Sequence, residues 1–66
     1  MGANMTPDVI RLLRKAGCRY VRPGKGDHQI WFSPINGHTF PVDSAIKSRD
    51  FANKVLKQAG FLKKHF

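Results

Sequence analysis

The stretch RPGKGDHQIW, residues 22–31, places a histidine directly after a glycine-rich turn that carries a lysine. Histidine has an ordinary pKa of roughly 6.5, so its side chain can accept and donate protons at neutral pH. Lys25 and the backbone N–H groups of Gly24 and Gly26 are suited to stabilise negative charge on a phosphate. The stretch therefore predicts a catalytic base, His28, beside a small anion-binding turn.

Cleavage of RNA is a reaction that one histidine and several cations can perform, because the 2′-hydroxyl of RNA supplies the nucleophile. His28 would remove the 2′-hydroxyl proton, and Lys25 would stabilise the charge on the phosphorane. Further substrate contacts are predicted at basic side chains near the turn and at the second helix: Arg22, Lys47 and Arg49. In a plainer interpretation, Gly-Lys-Gly is a tight turn with a solvated lysine and His28 is a surface residue without a role.

Known nucleotide-binding loops are excluded for this turn. It lacks the pattern GxxxxGK[ST], Gln29 stands where a third glycine would be, and the turn precedes a strand instead of a helix.

The charge of the chain points to a polyanionic partner. Its 66 residues include 12 Lys and Arg against four Asp and Glu, a formal charge of +8. This favours nucleic acid over a membrane, because no apolar run approaches the roughly 18 residues of a membrane-spanning helix. We expect a single domain, residues 1–66, with too little core to hold a cofactor. Cys18 is the one cysteine, and with three scattered histidines it has no zinc-binding spacing, so we expect no metal site and a cytoplasmic location.

The apolar periodicity predicts five elements. A helix is expected at 6–16, with Thr6 as its N-cap and Gly17 after its end, and a second helix at 48–59, with Ser48 as its N-cap. Strands are expected at 18–22, 28–33 and 38–42, and Pro41 places the third strand at an edge or a bulge. The fold class is α+β in the order α-β-β-β-α, with two helices packed on one face of a three-stranded antiparallel sheet. This is the arrangement of the double-stranded-RNA-binding domain.

The faces of the sheet follow from a turn at Asn36-Gly37, the strongest short hairpin signal. Strand alternation then sets His28, Ile30 and Phe32 on one face with Thr39, Pro41 and Asp43. The bulkier Trp31, Phe40 and Val42 share the other face, which we predict to pack on the helices. Asp43 is in a position to orient His28 across the strands if this register is correct.

Other polar residues have weaker signals. His38 flanks the hairpin turn and is expected at the surface. Asn53 lies beside the apolar stripe of the second helix, where it is either solvated or in contact with the connector. The tail LKKHF, residues 62–66, is expected to fray.

The segments GKGDHQIW, FPV and KSRDFANKVLKQAGF, in that order, resemble the HicA (YcfA-like) toxins of bacterial and archaeal toxin–antitoxin systems. The resemblance runs from about VIRLLRKAG to KQAGF, nearly the whole chain. It implies a double-stranded-RNA-binding-like fold and an mRNA interferase that cuts RNA without a metal and arrests translation and growth. The family's catalytic histidine, in the motif G-[S/D]-H, falls on His28, and Gly26 matches the turn glycine. The implied partner is a HicB antitoxin that covers this histidine and itself binds operator DNA, so that DNA is contacted only indirectly.

The sequence departs from the family pattern at two places. Asp27 replaces the commoner serine and puts a negative charge beside His28. Many relatives carry a histidine soon after the strand-three motif, whereas this chain reads PVDSA there.

Two other functions are compatible with the sequence. One is a non-catalytic RNA-binding module that blocks translation by occupancy and loses activity when its basic residues are neutralised. The other is a small interaction domain whose positive face docks an acidic partner and which has no RNA affinity at moderate salt.

Overall fold

The computed structural model describes residues 4–63 and 65–66. Its elements are α1 (Thr6–Lys15), β1 (Arg19–Pro23), β2 (Gln29–Phe32), β3 (Thr39–Val42) and α2 (Arg49–Gln58). The predicted order α-β-β-β-α is confirmed, and each bound lies within one residue of its predicted position. No helix in the described part of the chain has both the length and the apolar character needed to cross a membrane.

The three strands form one antiparallel sheet in the order β1-β2-β3. Trp31 of β2 lies opposite Tyr20 of β1 and Phe40 of β3. The prediction that Pro41 belongs to an edge strand is confirmed, since β3 has one neighbour. The register of β1 shifts between Tyr20 and Arg22, which leaves Val21 as the extra residue of a bulge.

The core lies between the helices and one face of the sheet. Trp31, Phe40 and Val42 are buried there, which confirms the predicted core face. The helices and connector complete the core with small and branched side chains, which are Val9, Leu13, Ile46, Ala52, Val55, Leu56 and Ala59. The opposite face of the sheet, which carries Ile30 and Phe32, has no helix against it and is called the open face below.

The β2–β3 connection differs from the predicted two-residue turn. The Ser33 N–H donates to the His38 carbonyl over 2.9 Å, and the Gly37 N–H donates to the Ser33 carbonyl over 2.9 Å, so the loop contains four residues. A two-residue type I′ turn needs positive φ at both central residues, but Asn36 has a negative φ beside Gly37 at 73°. The register differs by two residues, and a shift of two leaves the side chains of β2 and β3 on their predicted faces. Asp43 lies one residue beyond the end of β3 and is not held to this alternation.

Thr6 does not cap α1, contrary to the prediction. The N-cap is Met5, and the Thr6 N–H donates to Asn4 Oδ1 over 3.0 Å. The Thr6 hydroxyl instead donates to the Asp43 carbonyl over 3.2 Å and accepts from the Ile46 N–H over 2.9 Å. It therefore ties the start of α1 to the connector between β3 and α2.

Both helices end in the same way. After α1 the Cys18 N–H donates to the Leu13 carbonyl, and after α2 the Phe61 N–H donates to the Leu56 carbonyl. This is the Schellman pattern, and it places glycine at the left-handed position, with φ of 93° at Gly17 and 99° at Gly60. At the start of α2, Ser48 caps as predicted, since its hydroxyl accepts from the Phe51 N–H over 3.1 Å.

The two ends of the sheet have different surroundings. The turn end comprises residues 22–29, 42–49 and 4–7, where the β1–β2 turn, the connector and the starts of both helices meet. The loop end comprises residues 16–18, 33–38 and 58–61, where the Asn36 amide donates to the Gln58 carbonyl over 2.9 Å. Both helices therefore run from the turn end to the loop end.

The buried hydroxyl of Ser33 anchors the loop end. Ser33 Oγ donates to the Ala59 carbonyl over 2.5 Å and accepts from the Ile35 N–H over 3.2 Å.

The variant Ser33→Ala leaves both backbone groups without this partner, so we expect a loss of about 1–3 kcal/mol in the free energy of unfolding, measured in urea. The matched variant Ser44→Ala removes an exposed hydroxyl and should change it by less than about 0.5 kcal/mol. Equal losses in the two variants would contradict this assignment.

Candidate active site

The turn before β2 holds His28 by two backbone hydrogen bonds. The Gly24 N–H donates to the His28 carbonyl over 2.8 Å, and the His28 N–H donates to the Lys25 carbonyl over 3.2 Å. Gly26 has a φ of 64°, while Asp27 has a negative φ, which is the φ pattern of a type II′ turn. The Gly24 N–H is used by the hairpin. Of the two glycines predicted to bind an anion, only Gly26 therefore has its N–H available.

Gly24 and Gly26 are needed for different reasons. A Cβ at Gly24 would lie 3.1 Å from Ile30 Cδ1, 3.2 Å from the His28 carbonyl oxygen and 3.3 Å from His28 Cβ. A Cβ at Gly26 would meet no atom within 4 Å, but its positive φ disfavours any L side chain. Gly24 thus permits close packing against His28, and Gly26 permits the bend.

The His28 side chain is exposed at the entrance of β2. Among the described residues, no group donates to its imidazole or accepts from it. Asp43 does not orient it, because Asp43 Oδ1 accepts from the Ala45 N–H over 3.0 Å and so holds the connector. The imidazole is therefore open to a ligand from the solvent.

A strip of apolar side chains continues from His28 along the open face. Ile30 and Phe32 follow at alternate positions of β2 and are half-buried. Arg22 lies opposite Ile30, and Arg19 lies opposite Phe32 with its guanidinium carbon 5.3 Å from the centre of the phenyl ring. An aromatic ring and two arginines on the same face as one imidazole form a surface suited to the bases and phosphates of a single nucleic-acid strand.

Arg19 was missed in the sequence analysis. The register of β1 was not assigned there, and the bulge at Val21 changes which side chains of β1 share a face with Phe32. The available signal was the run Arg19–Arg22 in a strand that pairs with the aromatic strand β2.

Lys47 and Arg49 also lie at the turn end, but on the connector and the start of α2 and not on the β1–β2 hairpin. Lys47 precedes the Ser48 cap, and Arg49 is the first residue of α2, and both are exposed. No hydrogen bond or ion pair among the described residues joins either of them to His28. The predicted substrate contacts therefore form two groups at the turn end: Gly24, Lys25, Gly26 and Arg22 beside His28, and Lys47 and Arg49 on the helix side of the sheet.

The four side-chain carboxylates lie at this end or in the helix turn next to it. Asp8 and Asp50 occupy the first turns of α1 and α2, where they face the positive end of each helix dipole. Asp27 is in the β1–β2 turn and Asp43 is in the connector. Most of the excess positive charge consequently lies along the helices and on β1, away from the turn itself.

The remaining histidines lie away from His28. His38 borders the hairpin at the loop end, and the His65 ring packs edge-on against Phe61 at 5.2 Å. Asn53 holds the tail on α2, because its amide donates to the Phe66 carbonyl over 3.0 Å and accepts from the Phe66 N–H over 3.1 Å. The expectation of a frayed tail is wrong for His65 and Phe66, which Asn53 holds. Leu62 and Lys63 are exposed, and Lys64 lies outside the described residues.

No three His, Cys, Asp or Glu side chains in residues 4–63 and 65–66 are grouped as a metal ion would require. Cys18 is buried and belongs to the core.

Comparison with known proteins adds one match. A family model described as "HicA toxin of bacterial toxin-antitoxin" matches residues 6–61, which covers every helix and strand. No curated protein and no solved structure shows a significant match.

The different roles of the two turn glycines are testable. Gly24→Ala should shift the NMR signals of the His28 imidazole, because the new methyl group must displace the His28 backbone or the Ile30 side chain. Gly26→Ala should lower the free energy of unfolding by about 1–2 kcal/mol through its positive φ. The assignment would be contradicted if Gly24→Ala left the imidazole signals of His28 in place.

Proposed function

The chain belongs to the HicA toxin family of bacterial toxin–antitoxin systems, and we propose that it is a metal-independent endoribonuclease that cleaves mRNA with His28 as its catalytic base. As a member of this family it is the toxin of a toxin–antitoxin pair and has a cognate antitoxin as its partner. The observation that carries the proposal is the exposed imidazole of His28, held by the hairpin at the head of the aromatic and arginine strip on the open face.

The proposed reaction needs one proton acceptor at the 2′-oxygen. His28 takes the proton of the ribose 2′-hydroxyl, and the 2′-oxygen forms a bond to phosphorus as the bond from phosphorus to the 5′-oxygen breaks. The leaving 5′-oxygen takes a proton from solvent, which reaches this open site. The products are a 2′,3′-cyclic phosphate and a 5′-hydroxyl end, and a general base of this kind contributes about 10²- to 10⁴-fold in rate.

The cations of the turn end stabilise the phosphorane. Lys25 and the Gly26 N–H are three and two residues from His28 along the turn and supply positive charge to the phosphate oxygens. Gly24 acts by its lack of a side chain, which lets the turn pack closely against His28 where the RNA backbone binds. Arg22 contacts the RNA strand along the open face of the sheet, and Lys47 and Arg49 contact the RNA backbone on the helix side.

The same exposure supports a proposal for how the activity is controlled. A catalytic imidazole on an open face is blocked by any partner that covers that face. We propose a HicB-like antitoxin as this cover, acting where mRNA is translated, in the cytoplasm. Operator DNA is then bound by the antitoxin and not by this chain.

Replacement of His28 tests the catalytic role. With EDTA present, wild type should cleave a mixed-sequence RNA, and His28→Ala should cleave it about 10²- to 10⁴-fold more slowly while still folding and binding RNA. His38→Ala is the matched control, since His38 is also exposed but lies at the loop end, and its rate should equal that of wild type. If both variants cut as fast as wild type, His28 is not the catalyst. If wild type and His28→Ala bind RNA and neither cuts it, the chain acts by occupancy.

The salt dependence of RNA binding tests the phosphate contacts. Lys25→Gln and Arg49→Gln should each lower the slope of log affinity against log salt by about 0.7, because each removes one phosphate contact to a single strand. Lys57→Gln, in the last turn of α2, removes the same charge near the loop end and should leave the slope nearly unchanged. If all three variants keep the salt slope of wild type, the RNA does not bind at Lys25 and Arg49. If wild type itself has no RNA affinity at moderate salt, a domain that docks an acidic protein is favoured.

A further inference from the structure

A cavity of about 460 Å³ opens at the turn end, on the helix side of β2. Three segments form it: the start of α1, the first residue of β2 and the start of the connector. Its lining includes Asn4, Thr6, Ile10, Gln29, Asp43 and Ser44. This volume is within the range of small-molecule sites and accommodates a nucleobase.

The walls of the cavity are joined by hydrogen bonds between segments that are distant in sequence. The Thr6 hydroxyl bonds to the connector at the Asp43 carbonyl and the Ile46 N–H. The Asn4 amide donates to the Ser44 carbonyl over 3.1 Å. The cavity is therefore preorganised, and a ligand does not have to order its walls.

Gln29 presents hydrogen-bond donors in a fixed orientation. The Trp31 indole Nε1–H is a donor only, and it donates to Gln29 Oε1 over 3.0 Å. This bond sets Oε1 toward Trp31 and leaves the two N–H donors of the Gln29 amide for other partners. Because Trp31 is 1% exposed and locked in the core, the amide has a rigid anchor.

Asp43, one residue beyond the end of β3, also lines this cavity. Its Oδ1 accepts from the Ala45 N–H, which fixes the carboxylate, while its other oxygen has no partner among the described residues. The cavity thus offers a donor group from Gln29 and a carboxylate acceptor from Asp43.

We propose that this cavity is a nucleobase subsite that selects guanine, with Gln29 and Asp43 as the specificity-determining residues. The Watson–Crick edge of guanine carries an acceptor, O6, beside two adjacent donors, N1–H and the N2 amino group. Gln29 donates to O6, and Asp43 accepts from the two donors. Adenine, cytosine and uracil have no adjacent pair of donors on this edge, so a carboxylate discriminates against them.

The subsite lies next to the proposed catalytic centre and rests on the proposed function. Gln29 follows His28 directly, and consecutive Cα atoms are about 3.8 Å apart. Alternation along β2 sends the His28 side chain to the open face and the Gln29 side chain to the cavity. An RNA strand that bends around this end of β2 places one of its phosphates at His28 and the adjoining base in the cavity.

Mapping of cleavage sites in a mixed-sequence RNA tests the subsite. Wild type should show guanine at one fixed position beside the cut. In Gln29→Glu the carboxylate still accepts from the Trp31 indole but has no donor for O6. In Asp43→Asn the amide oxygen still accepts from the Ala45 N–H, but the second acceptor oxygen for guanine is lost. Both variants should lose the preference for guanine by about 5- to 150-fold. Gln58→Glu adds the same charge as Gln29→Glu near the loop end and should keep the wild-type preference.

Binding measurements separate this inference from the proposed function. The affinity of His28→Ala for four short RNAs that differ in one base should be highest for the guanine RNA, and the added change Gln29→Glu should abolish that difference. Cleavage without a preferred guanine, or with a preference that survives in both variants, overturns the subsite and leaves the nuclease. If wild type cuts no RNA, the nuclease proposal fails, and equal affinities for the four RNAs then overturn the subsite as well.

Discussion

The burial of Trp31 is the constraint on which the rest of the structure depends. Trp31 is the largest side chain of the core, and β2 is the central strand, so its indole sets which face of the sheet the helices cover. Alternation then sends His28, Ile30 and Phe32 to the opposite face. A one-residue slip would bury the histidine and expose the tryptophan, and both changes would be costly.

A second constraint is the convergence of four chain segments at the turn end. The Thr6 hydroxyl joins α1 to the connector, the connector leads into the Ser48 cap, and the β1–β2 turn lies across the sheet from them. Carboxylates gather there because helix starts favour them and because Asp43 holds a turn of the connector. The RNA proposed as substrate therefore meets a surface of mixed charge, on which we expect individual side chains, and not overall charge, to decide where phosphates and bases bind.

The position of the site at the surface follows from the size of the chain. A domain of 66 residues has little core to spare for an enclosed cleft. His28 lies on the open face, where neither α1 nor α2 covers it. Under the proposed function, control falls to the cognate antitoxin, which is consistent with a family in which toxin and antitoxin occur as a pair.

The sequence by itself determined the elements, the core face and the family. Apolar spacing marked both helices, Ser48 marked the start of α2, and the choice between the faces of β2 followed from side-chain bulk. The ordered segments around His28 carried the resemblance, because short motifs in a fixed order are specific even where each is weak. These features are local, or depend on a period of two or 3.6 residues, so no long-range contact was needed to find them.

Only the tertiary structure decided which distant residues meet. In the folded chain the Thr6 hydroxyl bonds to the connector and does not cap α1. Asp43 accepts from the Ala45 N–H and not from His28. The bulge of β1 places the Arg19 guanidinium over the Phe32 ring. The tertiary structure also placed Gln29 and Asp43 in the lining of one cavity. Each of these contacts joins segments whose relative placement depends on packing and register, and one sequence contains no periodic signal for either.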